Sequence, residues 1–166
     1  MTSPRHPPPA NDPIVVVEVL PGPLRRTEPI GHGVETGSAG GGVCTFEGIT
    51  RPEHHSDHGE LLALHYEVAE PLTSSRLREL AAAVASRHGL HRIEIRHASG
   101  DVAIGQASVR ITTVADHRDA AFSACREAID RLKSEIPIWK QERWQDGATW
   151  SDATSPLPET LPGGGE

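Results

Sequence analysis

Short runs that are rich in β-branched residues, or in which apolar and polar residues alternate, recur along this chain and predict its strands. They lie at 14–19, 42–50, 61–67, 91–97 and 106–114. Alternation returns after Pro137, and Asp146-Gly147 predicts a hairpin turn before a last strand at 148–150. The segment 99–105 is predicted to turn the chain, and such short connections favour antiparallel pairing.

A first helix is predicted where apolar residues instead recur every three to four positions. It runs from Pro71 to about His88, and Gly89 supplies the residue that ends it. Its inward face is predicted to comprise Leu72, Leu77, Leu80, Ala81 and Val84.

A second helix is predicted to begin at Asp116, which would cap its N-terminus, with Asp119 in the capping-box position. It ends near Ser134 or Glu135 because Pro137 favours an extended residue before it. Its buried stripe is predicted to comprise Ala121, Phe122, Cys125, Ile129 and Leu132.

Three cations stand in unusual positions relative to this second helix. Arg118 falls inside the apolar stripe, Lys133 falls at its edge, and Lys140 lies on the short strand that follows. The first two either form the wall of a pocket or bury their stems while their charged heads reach water. Two neighbouring ammonium groups disfavour each other's protonated forms, so such a lysine could exchange a proton near neutral pH.

The predicted order of elements is β, loop, β, β, α, β, β, α and a hairpin. This order favours an α+β domain in which two helices pack on a mainly antiparallel sheet. The domain spans 14–152, between a disordered Pro-rich arm at 1–13 and a flexible Pro/Gly-rich tail at 153–166. A short helix could form near 29–35, inside a segment rich in Pro, Gly and charge.

Composition narrows the classes of function. The formal net charge of −7 argues against nucleic acid as a partner, and the longest apolar run is far too short to cross a membrane. Cys44 and Cys125 lack metal-type spacing, which predicts free thiols in a reduced, cytoplasmic protein. The Gly-rich segment 37–42 lacks the strand–loop–helix context of a phosphate-binding loop.

His54, His55 and His58 lie together in a polar segment with two acidic residues. A metal site there would need ligands that are fixed in advance and supported by further hydrogen bonds. We therefore expect a mobile, solvated loop and no metal, with a metal-dependent phosphate-ester hydrolase that also uses His117 as the alternative.

Several short motifs follow one another in a fixed order. They are Phe46-Glu47-Gly48-Ile49-Thr50-Arg51, Leu64-His65-Tyr66-Glu67, Asp116-His117-Arg118-Asp119-Ala120-Ala121-Phe122, Leu132-Lys133 and Pro137-Ile138-Trp139-Lys140-Gln141-Glu142, and then Asp146-Gly147 and Trp150. Over residues 14–150 this combination resembles the large, catalytic subunit of molybdopterin synthase. One difference is His97-Ala98-Ser99-Gly100, where the family often has His-Arg-x-Gly.

The resemblance implies an α/β hammerhead fold and a sulfur-transfer reaction without a bound cofactor. The family converts cyclic pyranopterin monophosphate into molybdopterin by two sulfur transfers. The donor is a small ubiquitin-like subunit whose C-terminal Gly-Gly ends in a thiocarboxylate, and two such subunits flank a dimer of the large subunit. A non-catalytic module of the same fold, which binds a partner or a phosphorylated ligand, is the alternative.

The resemblance also implies a set of site residues. Lys133 and Lys140 match the catalytic pocket lysines. The matched substrate-binding positions are Ile49, Thr50, Arg51, His117, Arg118, Lys133, Lys140, Gln141 and Glu142. We expect Arg51, His117, Arg118 and the two lysines to converge on one cationic cleft. The tail glycines 163–165 resemble the donor's Gly-Gly and could enter a neighbouring empty channel, although Glu166 follows them.

Overall fold

The computed structural model describes residues 12–25 and 40–151 of the chain. The possible helix near 29–35, the tail from 152 onward and nearly all of the predicted N-terminal arm lie outside these residues. The described elements are β1 (Ile14–Pro21), β2 (Gly42–Ile49), β3 (His54–His55), β4 (Gly59–Val68), α1 (Leu72–His88), β5 (Arg92–Ala103), β6 (Ala107–Ala115), α2 (Arg118–Glu135), β7 (Ile138–Trp144) and β8 (Gly147–Trp150).

The long strand β5 joins two sub-sheets. Its first half pairs with β6 on one side and with β1 on the other, and β2 pairs with β6, which gives the order β1-β5-β6-β2. Its second half pairs with β4, which gives the order β5-β4-β7-β8. The β1–β5 pair is parallel and the other strand pairs are antiparallel. The predicted α+β class and mainly antiparallel sheet are confirmed.

The predicted turn at 99–105 is wrong for most of its length. β5 continues to Ala103, and Gly100 adopts a φ of 79° at the point where the strand changes partner from β1 to β4. Glycine adopts this conformation at little cost, so a residue typical of turns here lies within a strand. The uninterrupted β5 holds the two sub-sheets in register.

Both helices pack on the first sub-sheet, α1 against β1 and β5 and α2 against β6 and β2. The central core comprises mainly aliphatic side chains, among them Leu77, Val84, Leu90, Ile93, Ile95 and Ile111. Two residues that were predicted to face inward do not: Leu72 is 47% exposed and Phe122 is 61% exposed. The buried residues of α2 include three alanines, and at 100° per residue the centre of its buried stripe lies about 90° from Phe122.

The ends of the helices are only partly as predicted. Gly89 ends α1 in the left-handed conformation, and α2 ends at Glu135, before Pro137. The predicted cap at Asp116 is wrong, because α2 begins at Arg118 with His117 in the capping position. The Asp116 carboxylate instead pairs with His91, with 2.7 Å between Oδ1 and Nε2.

A carboxylate on α2 ties the two helices together. Glu127 Oε2 lies 2.7 Å from Nε2 of His88 on α1, and Arg87 and Arg131 approach the other carboxylate oxygen. Burial acts to raise the pKa of Glu127, but the hydrogen bond from His88 and the neighbouring positive charges outweigh it and lower that pKa. The ionised carboxylate therefore stabilises the packing of α1 against α2.

Candidate active-site cleft

A cleft of about 560 Å³ opens where the two sub-sheets meet the C-terminal half of α2. Its lining comes from the end of β2 and the residues after it, from β4 and β7, from one position on β5 and two on β6, and from α2. The site residues predicted from the sequence that line it are Ile49, Thr50, Arg51, Lys133, Lys140 and Glu142. Distant parts of the chain therefore bring both predicted catalytic lysines into one cavity.

The three cations of the cleft reach it from different elements. Arg51 follows β2 and is held by Glu53, with 2.8 Å between Nε and Oε1. Lys140 lies on β7, and its Nζ is 3.1 Å from Oε1 of Glu142. Lys133 lies in the last turn of α2 and makes no ion pair with any residue that the structure describes. Its ammonium group is thus the best placed of the three to meet an incoming anion.

The acidic residues of the cleft are already compensated. Glu53 pairs with Arg51 and Glu142 pairs with Lys140, while Glu47 accepts a hydrogen bond from Arg110 Nε at 2.7 Å. Each of these three carboxylates thus has a cationic partner, and Lys133 is left as the source of net positive potential. An anion that enters beside Lys133 gains attraction without breaking an existing pair.

Four further predicted substrate-binding residues take different positions. Ile49 is 44% exposed at the lip of the cleft, whereas Thr50 is buried and donates its hydroxyl to the carbonyl of Val102 at 3.5 Å. Glu142 lines the cleft beside Lys140. Gln141 does not line it, because successive residues of a strand point to opposite faces. The expectation that Gln141 follows Lys140 along the wall is therefore wrong.

His117 and Arg118 lie outside this cleft. They stand at the N-terminus of α2, where both are exposed, and the side chain of Arg118 is 85% exposed. Fifteen residues at 1.5 Å each separate Arg118 from Lys133 by roughly 22 Å along the helix. The expected convergence of all five cationic residues is thus wrong within one chain, since a continuous helix holds two of them at its far end.

Three polar side chains on the floor of the cleft were missed by the sequence analysis: Tyr66, His97 and Ser108. The rings of Tyr66 and His97 meet edge to face, with centroids 5.0 Å apart. Burial raises the pKa of Tyr66, although a hydrogen bond with Ser108 opposes the change. His97 shares the parity of Ile93 and Ile95 along its strand, and this signal could have placed it inward.

A hydrogen bond to the backbone of the next residue fixes the His97 ring. Nδ1 lies 2.7 Å from the carbonyl oxygen of Ala98, and the residue is only 4% exposed. Burial lowers the pKa of His97 to about 4, against the opposing effect of the hydrogen bond to Ala98. The imidazole is therefore neutral at neutral pH.

The segment that contains three histidines includes a short paired strand rather than only loop, although His54 is exposed as a solvated segment would require. His54 and His55 form β3, which pairs with the start of β4. His54 bonds to Glu60 and His58 bonds to the carbonyl of Asp146, and the rings of His55 and His58 are in tilted contact with centroids 4.7 Å apart. Each of these contacts uses a ring nitrogen or a ring face. Among the described residues no group of three His, Cys, Asp or Glu side chains is arranged to hold a metal ion.

The two thiols lie between β2 and α2 and do not line the cleft. Both are free, as predicted, and Cys125 is buried. Burial raises the pKa of Cys125 to about 12, and the neighbouring Cys44 thiol adds to the effect. Within the described part of the chain, no helix is long and apolar enough to span a membrane.

Comparison with known proteins identifies the family. The family model described as MoaE protein matches residues 23–135. The molybdopterin synthase catalytic subunit of Nostoc sp. is 38% identical over 121 residues, which cover 72% of this chain and 72% of the relative.

Solved structures share the fold. The molybdopterin biosynthesis MoaE protein from Burkholderia ambifaria matches with a TM-score of 0.68 and 27% identity, covering 86% of this chain and 92% of that one. Molybdopterin synthase from Staphylococcus aureus matches with a TM-score of 0.66 and 26% identity, covering 85% and 97% of the two chains. The resemblance in the sequence and the fold it implied are confirmed, and this chain belongs to the MoaE protein family.

Proposed function

We propose that this chain is the catalytic subunit of molybdopterin synthase. It converts cyclic pyranopterin monophosphate into molybdopterin by two sulfur transfers from the thiocarboxylated C-terminus of a small ubiquitin-like subunit. The observation that carries the proposal is the meeting of Arg51, Lys133 and Lys140 in one cleft of a MoaE family member. Relatives named molybdopterin synthase catalytic subunit support the enzyme class.

Electrostatics explains why the cleft needs these cations. The substrate carries a phosphate and the donor carries a thiocarboxylate, so two anions must approach each other. Ammonium and guanidinium groups offset that repulsion best where solvent is partly excluded. Lys133, which has no ion-pair partner among the described residues, meets the donor, and Arg51 at the more exposed end holds substrate.

Lys140 and Glu142 form a pair that suits proton transfer. Attack of sulfur on the pterin side chain, release of the acyl group and loss of water each require a proton to move. The 3.1 Å contact between Lys140 Nζ and Glu142 Oε1 gives such a proton a path between donor and acceptor. Thr149 Oγ1 lies 3.3 Å from Glu142 Oε2 and holds the carboxylate in place.

A second copy of the chain supplies His117 and Arg118. One α2 cannot carry these residues and Lys133 into the same cleft, because roughly 22 Å of helix separates them. In a homodimer the exposed N-terminus of α2 from one copy can approach the cleft of the other. The expected assembly, a large-subunit dimer with one small subunit at each end, provides that arrangement.

A single-turnover assay tests the proposal. Thiocarboxylated small subunit and cyclic pyranopterin monophosphate are mixed with the purified protein, and the dithiolene product is measured. We expect one dithiolene product for every two thiocarboxylates consumed, because each transfer supplies one sulfur, and the same subunit with a free carboxylate as donor should give none. Binding of both reactants without product would instead indicate a non-catalytic binding module.

A further inference from the structure

We propose that His97 binds the ring system of the substrate, its Nε2 accepting a hydrogen bond from an N–H group of the heterocycle. This inference rests on the proposed function and extends it from the cations at the mouth of the cleft to its floor. His97 lines the cleft together with Tyr66 and Ser108. His97 can accept a hydrogen bond, which the ammonium and guanidinium groups of the cleft cannot do.

The hydrogen bond to Ala98 determines which ring nitrogen carries the proton. A carbonyl oxygen only accepts, so at 2.7 Å the Nδ1 atom of His97 must be the donor. In a neutral imidazole the other nitrogen then holds a lone pair. Nε2 is therefore an acceptor, and backbone geometry rather than a mobile side chain fixes its direction.

Nε2 remains available to a ligand in the cleft. It has no hydrogen-bond partner among the described residues. It is also absent from the fully buried side-chain atoms that lack a partner, so part of its surface is open to the cleft. The edge-to-face contact with Tyr66, at 81° between the ring planes, restricts rotation of the imidazole. A preorganised acceptor of this kind costs a ligand little conformational entropy.

The charge of the ring decides which part of the substrate it can meet. Because burial keeps His97 neutral at neutral pH, its lone pair repels phosphate and thiocarboxylate oxygens, which are acceptors themselves. An N–H donor is attracted. Phosphate and sulfur donor therefore lie towards Arg51 and Lys133, and the pterin ring lies inward, with apolar contacts from Leu64 and Val109.

Two substitutions distinguish the roles of the two ring nitrogens. His97→Asn places an amide N–H near the position of Nδ1 and keeps the bond to Ala98 while it removes the cleft acceptor. His97→Gln reaches the position of Nε2 with a carbonyl oxygen. We expect the dissociation constant for cyclic pyranopterin monophosphate to rise about tenfold in His97→Asn, the effect of one lost hydrogen bond. His97→Gln should recover part of that loss.

The small subunit should bind both variants with wild-type affinity, and saturating pyranopterin should restore the turnover rate of His97→Asn. Wild-type pyranopterin affinity in folded His97→Asn overturns the assignment of His97 alone. Absence of sulfur transfer by the wild-type protein overturns the proposed function itself.

A measurement on the wild-type protein covers the case in which neither variant folds. With ¹⁵N-labelled histidine, the Nε2 resonance of His97 should move when cyclic pyranopterin monophosphate is added, while the Nδ1 resonance stays nearly constant. An Nε2 resonance that is unchanged at saturating ligand contradicts the contact.

Discussion

His97 links the stability of this fold to pH, because the folded protein holds the ring neutral while the unfolded chain exposes it to water. Burial, opposed by the bond to Ala98, lowers its pKa from 6.5 to about 4. Between these values the unfolded chain binds a proton that the folded chain excludes. The contribution of His97 to stability is therefore intact above pH 6.5 and is lost as the pH falls towards 4.

The gap between the two pKa values sets the size of the effect. Complete loss corresponds to about 3 kcal/mol, and by about pH 4.5 most of it has occurred. That is a large share of the free energy of unfolding of a typical domain of this size. The perturbation is therefore measurable by ordinary equilibrium unfolding.

Urea unfolding of the wild-type protein and of His97→Asn, from about pH 7.5 to about pH 4.5, isolates this contribution. Other titrating groups are common to both proteins, so their effects cancel in the difference between the two free energies. We expect the stability of the wild-type protein relative to the variant to fall by about 2–3 kcal/mol over this range. A difference that does not change with pH would show that His97 is not held neutral by burial.

Three further predictions concern the contact between the helices at Glu127, the buried thiol of Cys125 and a site shared by two copies of the chain. Glu127→Gln should lower the free energy of unfolding by about 1–3 kcal/mol at neutral pH, because the bond to His88 loses its charge; the two proteins should converge as the pH falls from 4.5 through the lowered pKa of the folded carboxylate. Cys125 should resist alkylation at neutral pH in the native protein and react after unfolding, as mass spectrometry can show, and rapid native labelling would contradict its burial. Mixing inactive Arg118→Ala and Lys133→Ala proteins should restore activity, because a mixed dimer contains one intact site; no recovery in verified mixed dimers would exclude shared sites.

Periodicity was sufficient to predict most elements of this fold but not their exact faces. The pattern placed α1 and α2 within two residues of their observed ends. It failed for Phe122, because the buried stripe of α2 includes alanines and is centred about 90° from that side chain. It failed at Gly100, because a glycine that suits a turn also suits a strand that changes partner.

The site was predictable as a set of residues but not as an arrangement. Motif order identified Arg51, Lys133 and Lys140 as members of one cleft, although Lys133 lies 82 positions after Arg51 in the sequence. The predicted second helix already placed Arg118 in its first turn and Lys133 in its last, but the matched motifs do not express the roughly 22 Å between them. The motifs therefore predicted which residue types form the site better than where those residues lie.

The single-turnover rate of sulfur transfer in Lys133→Ala tests the central claim most directly. Arg126→Ala is the matched control, because Arg126 lies on the same helix with its side chain 84% exposed and does not line the cleft. We expect Lys133→Ala to fold, to bind the small subunit and to lose about 10²-fold or more in rate, while Arg126→Ala keeps the wild-type rate. A wild-type rate in Lys133→Ala would contradict the account.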